Sequence, residues 1–269
     1  MKDLSPDRQR REGSMTDSLP SWPREHFRAG GGEPFLFYVI FGSIKIDQPI
    51  SRGTYKTEGI PKGIELHSYG PENSPEVPQS FLEGYLWDGL KESNPALADA
   101  IETTDRCLVL QGTPNDDSSL DYFRDAIGLM TFLAEQGGVS IYDPFMLRWW
   151  EIADWRKELF EPFSPLPLHH TVILLSEEDN HDDDCVWIHT RGMRKFGRPD
   201  ISVHNVPEEK IEDVIDFCSR LIEYQALGHV IPDGQQIKIA SLPEGGIIHH
   251  VGDLEDPDFN NVHIEVELS

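Results

Sequence analysis

The residues best equipped for chemistry lie in one short run. Arg191, Arg194, Lys195 and Arg198 fall at i, i+3, i+4 and i+7, so two helical turns would carry all four on one face. Gly192 and Gly197 interleave them, and glycine lets the backbone bend or approach a ligand closely. His189 and Thr190 lead into the run; a histidine, with a reference pKa of ~6.5, can exchange a proton near neutrality. Guanidinium forks suit bidentate capture of phosphate or carboxylate. His189, Thr190, Arg191, Arg194, Lys195 and Arg198 therefore form the candidate ligand site, an anion-recognition patch. The competing reading is a surface turn whose cations pair with nearby carboxylates.

Other chemistries find less support. Glu177 to Asp184 carries six carboxylates in eight residues, and a hard cation wants several oxygen ligands. The run lacks the ligand spacing and pivot glycine of an EF-hand loop, so a solvated hairpin tip is the simpler expectation. Asp253, Glu255, Asp256 and Asp258 form a weaker acidic cluster in a turn. His169–His170 and His249–His250 are adjacent pairs, and neighbours on a strand point to opposite faces. No metal site and no cofactor are expected. The chain has no G-x-S-x-G elbow, no Walker-type loop and no dinucleotide fingerprint, and no catalytic residue is assigned.

The elements that must hold these residues follow from periodicity. Phe35 to Ile46 opens as a continuous apolar strand of the central kind. A strand at 59–69, a proline-rich loop at 70–78 and a helix at 79–92 follow. Asn94-Pro95 is a cap and first turn for a short helix to Thr103, and Arg106 to Gln111 is a buried strand. Leu120, Phe123, Ile127, Met130 and Ala134 repeat at helical spacing after Ser118-Ser119, and Gly137-Gly138 stops them. Val139–Tyr142 is a strand, and Ile152–Phe160 a short helix. Trp149, Trp150 and Trp155 read as a core corner, or else as a ligand-stacking floor.

In the second half, 171–175 and 186–188 form a hairpin. A strand at 201–203 and an amphipathic helix from Pro207 to Leu227 come next, with Ile211, Val214, Ile215, Cys218, Leu221 and Ile222 as its apolar stripe. Strands are expected at 237–240, 247–250 and 262–266. This irregular alternation gives an α+β fold with mainly antiparallel, mixed sheet and helices packed on one face. Residues 1–32 read as a disordered or loosely docked tail. Residues 33–269 read as a single α+β domain, or two similar lobes divided near 161–168.

Charge narrows the partners. The chain has 23 basic and 48 acidic residues, a formal net charge of -25. Such a field repels phosphate backbones, which argues against nucleic acid and favours a basic protein partner. The three cysteines are widely spaced with no C-x-x-C pair, which points to reduced thiols and a cytoplasmic setting. No apolar run approaches the ~20 residues of a membrane span.

Thr190-Arg-Gly-Met-x-x-Phe-Gly-Arg-Pro-Asp200, the capped helix from Pro207 and Ile231-Pro-Asp-Gly-Gln-Gln-Ile237 together resemble the bacterial domain of unknown function numbered 4261. The resemblance covers residues 105–240. Met193 stands for the family's leucine, Asp200 for its glutamate and Gln235 for the second acid of its turn. The resemblance implies a bacterial α+β domain and brings no activity or catalytic residues. The expected function is a non-catalytic binding protein, immunity- or adaptor-like, that engages a basic partner through its acidic surface. The alternative is an enzyme or sensor for a small anionic ligand at residues 189–198.

Overall fold

The computed structural model describes residues 19–178, 185–256 and 258–268. The first half runs β1 (Leu36–Gly42), α1 (Arg52–Tyr55), β2 (Ile64–Tyr69), α2 (Glu76–Ser80), α3 (Tyr85–Ser93) and α4 (Pro95–Glu102). It continues with β3 (Cys107–Gly112), α5 (Asp121–Glu135), β4 (Gly138–Asp143), β5 (Arg148–Glu151) and α6 (Ile152–Trp155). Its sheet has the order β2-β3-β1-β4-β5 and is antiparallel throughout. β1 is the middle strand and is buried from both sides. Leu36, Tyr38 and Ile40 meet Ile127, Met130 and Leu133 of α5 in one cluster. Val39 and Phe41 meet Trp87, Leu90, Ala98 and Ile101 of α3 and α4 in another. Two-sided burial is the reason its sequence is continuously apolar rather than alternating.

The second half runs β6 (Val172–Glu177), β7 (Cys185–Arg191), β8 (Asp200–Pro207), α7 (Ile211–Ala226), β9 (Gln236–Ile237), β10 (Gly246–Val251) and β11 (His263–Leu268). These strands form a six-stranded sheet ordered β6-β7-β8-β11-β10-β9. All its pairings are antiparallel except β8 with β11. The fold is therefore α+β, with one antiparallel and one mixed sheet. Val214, Phe217, Cys218, Leu221 and Ile222 of α7 bury against Ile188, Ile201, Val203 and Ile264, and this packing belongs to the same hydrophobic cluster as α5. Among the described residues, no helix is long and apolar enough to cross a membrane.

Several boundaries differ from the sequence expectation for physical reasons. The proline-rich loop contains α2, because Pro75 caps it and Pro78 lies in its first turn, where an N–H has no helical partner to lose. The helix expected over 79–92 starts only at Tyr85, after Gly84 at φ 83°. A 3₁₀ turn over Glu208–Lys210 precedes α7, so the regular helix begins at Ile211 rather than Pro207. The strand expected at 237–240 shrinks to Gln236–Ile237. Trp150 and Trp155 are fully buried in the core, while Trp149 stacks on Tyr142 at 4.3 Å.

Residues 19–32, the described part of the expected tail, lie against the body. Trp22 is buried and donates from Nε1 to the Phe163 carbonyl at 2.9 Å. Arg24 is buried as well and donates to the carbonyls of Ala226 and Phe196. This segment thus touches both halves.

Candidate functional site

The basic run does not make two helical turns. β7 ends at Arg191, and a single 3₁₀ turn, Met193–Phe196, sits between Gly192 and Gly197, both left-handed. Gly192 at φ 114° has no room for a side chain, since a Cβ there would meet the His170 carbonyl at 2.6 Å. With three residues per turn and glycine breaks at both ends, the four cations diverge instead of sharing a face.

Most of the predicted site faces inward. Thr190 is fully buried; its hydroxyl donates to Asp200 Oδ1 at 3.0 Å and accepts from the Ile201 amide at 2.9 Å. Asp200 also accepts from the Met193 amide and from Asn261 Nδ2, and burial pushes its carboxyl up to about 6. Lys195 is fully buried against Asp143. Arg198 spends all five donors: Nε on His229 O, Nη1 on Asp116 Oδ2 and Gly197 O, and Nη2 on the carbonyls of Arg28 and Gly228. Two of those carbonyls, Gly228 and His229, follow the C-terminus of α7. The Thr190–Asp200 motif is a lock joining the tail, the two halves and the end of α7, and its two enclosed cations, Lys195 and Arg198, are satisfied by protein groups.

Arg191 and Arg194 are the two cations of the run that stay half-buried rather than enclosed. Arg191 makes no side-chain hydrogen bond or ion pair among the described residues, and its Nε is buried without a partner. Arg194 donates from Nη1 to the Asn260 carbonyl at 2.7 Å and lies 4.7 Å from the Phe35 ring centroid.

His189 belongs to a different surface, the side of the six-stranded sheet turned away from α7. There Trp187 is sandwiched between His189 at 3.8 Å and His204 at 5.1 Å. Phe259 packs edge-on to Trp187 and stacks on His263 at 4.1 Å. His189 is only 5 % exposed. Burial, then the charge of Arg191, lowers its pKa to about 4, so at neutral pH it is uncharged and cannot deliver a proton as an acid.

Two hollows adjoin on this face and share His204. One, of about 420 Å³, is lined by His204, Asn205, His249, Glu265 and Glu267 with the end of β11. The other, of about 370 Å³, is lined by Glu177, Glu178, Trp187, His204, Asp256, Asp258, Phe259 and His263, with Ser176 and Ser202. Among the described residues, neither is lined by a lysine or arginine. Glu178 accepts from the Asn205 amide at 2.7 Å and lies 3.1 Å from His204 Nδ1, which fixes it at the hollow's edge.

Of the acidic run 177–184, Glu177 and Glu178 fall on this face, and 179–184 lie outside the described residues. Asp253 and Asp256 accept from the amides two residues on, of Glu255 and Asp258, as turn-forming carboxylates do. Among the described residues, no group of three or more His, Cys, Asp or Glu is placed to hold a metal ion.

Sequence reasoning missed the ring ladder. Its signal was the alternation of β7, which puts Trp187 and His189 on one side; the contribution of Phe259 and His263 from 50 or more residues away has no local signature. Comparison with known proteins supplies no relative: no family model, curated protein or solved structure matches the chain.

Proposed function

We propose that this protein is a non-catalytic binding protein that engages a basic partner through the face of its second sheet opposite α7. One observation carries the reading: among the described residues, two adjoining hollows hold six carboxylates and no lysine or arginine. The buried cations Arg24, Arg124, Lys195 and Arg198 are nearly matched by the buried carboxylates Asp125, Asp143 and Asp200, so the exterior keeps the anionic character of a chain of net charge -25. The stacked rings give the hollow a stiff floor, and carboxylates at its rim complement Lys and Arg side chains. An immunity- or adaptor-like role suits such a face.

The test is binding of a fluorescent arginine- and lysine-rich peptide at physiological salt. Asp258→Lys/Glu265→Lys on this face is expected to weaken binding about tenfold or more, mainly through the association rate. Glu92→Lys/Glu102→Lys, the same charge change on α3 and α4, is expected to leave it nearly unchanged. Equal losses from both pairs would mean general charge attraction and no defined face.

A further inference from the structure

We propose that the cleft beside Arg194, between the two halves, binds a small carboxylate with an aromatic body. This site shares no lining residue with the two acidic hollows and stands independently of the basic-partner reading. Its volume is about 320 Å³, and its walls are Phe35, Phe37, Phe81, Tyr142 and Phe145 with Pro144. Those residues come from the first half; Arg194 and Asn260 come from the second. Small-molecule sites favour this setting, a mostly apolar concavity at a junction with a few convergent polar groups, and the volume suits a ligand of one or two rings.

The walls are fixed before anything binds. Phe35 meets Phe145 edge-on at 6.0 Å, Phe81 lies 6.2 Å from Tyr142, and Tyr142 is held flat against Trp149. An inserted ring would find both edges and faces to pack on, the arrangements that aromatic pairs prefer.

The polar groups select the charge. Arg194 is anchored through Nη1 to Asn260 O, and its guanidinium lies over the Phe35 ring, yet its Nε is buried without a hydrogen-bond partner. A guanidinium so held presents donors and no acceptor, which suits a carboxylate and rejects an ammonium. Burial, then the charge of Asp143, pushes the Tyr142 hydroxyl up to about 12, so it remains a donor. Inorganic phosphate would find the cation but leave the aromatic walls bare.

The experiment is isothermal calorimetry on the full chain with 3-phenylpropanoate, 3-phenylpropylamine and inorganic phosphate. We expect saturable binding of 3-phenylpropanoate with a Kd of ~1 mM or lower, and binding about tenfold or more weaker for the other two probes. Arg194→Gln is expected to weaken 3-phenylpropanoate about tenfold or more. Phe81→Ala, which trims a half-buried wall and keeps the cation, gives an independent loss should the first variant be poorly folded. Absence of saturable binding, an affinity unchanged in Arg194→Gln and Phe81→Ala, or equal binding of the amine or phosphate would each overturn the proposal.

Discussion

The Lys195 ammonium donates to Asp143 Oδ2 at 2.5 Å, and neither side chain reaches solvent. This pair fastens the end of β4 in the first half to the turn after β7 in the second. Burial lowers the lysine pKa, and the charge of Asp143 acts against that. Removing one partner strands the other charge in the interior. Lys195→Met or Asp143→Asn alone is expected to cost about 3–5 kcal/mol in urea unfolding, whereas Lys195→Met/Asp143→Leu together should be milder. If the single and double variants unfold at the same urea concentration as wild type, the pair does not hold the halves.

Asp116 serves two guanidinium groups at once, with Oδ1 accepting from Arg24 and Oδ2 from Arg198. Gly31 lies directly on the second of these, where a Cβ would fall 2.4 Å from Arg198 Nη1. Gly31→Val should therefore cost about 1–3 kcal/mol by overpacking. Asp116→Ala should cost more, because two buried cations lose their shared acceptor. Arg198→Lys should fail to substitute, since an ammonium has three donors against the five that are used here. Thermal unfolding of the three variants ranks them, and a neutral Gly31→Val would contradict the packing.

The pH response of His189 has a definite sign. Its folded pKa is about 4, against ~6.5 for an unfolded histidine. Between those values the unfolded chain takes a proton that the folded protein refuses, so this residue's contribution to stability falls as pH drops through the window. In an NMR titration the His189 ring signals should stay flat until the pH nears 4. A midpoint near 6.5 would show that Trp187 and Phe259 do not enclose the ring.

Cysteine reactivity offers a further check. Cys107 and Cys218 are buried and free, and burial pushes both thiols up to about 12. A bulky thiol reagent at mildly alkaline pH should leave both unlabelled in the folded protein and react with all three cysteines under denaturant. Rapid native labelling of Cys218 would mean that α7 opens readily.

The elements that were legible in the sequence are those whose burial repeats along the chain. The α7 stripe from Val214 to Ile222 and the unbroken apolar run of β1 each declare a face or a depth locally. The candidate site was less legible because its chemistry is settled by distant partners. Nothing near Arg198 announces Asp116, and nothing near Lys195 announces Asp143. The spacing i, i+3, i+4, i+7 reads as one helical face only while the backbone is helical; Gly192 and Gly197 shorten that segment to one 3₁₀ turn. Gly31 falls within the stretch 1–32 that reads as a tail, although it is where the chain must pass over a buried guanidinium.

The position of β11 has a consequence for how the chain is made. Although it comes last among the strands, it is inserted between β8 and β10 and runs parallel to β8. A ribosome-bound chain that has already paired β6, β7 and β8 still presents a free β8 edge until residues 263–268 emerge. Completion of this sheet therefore joins contacts more than sixty residues apart, the slow, non-local kind. Until then the nascent protein carries an open β edge of the sort that recruits chaperones or a second chain.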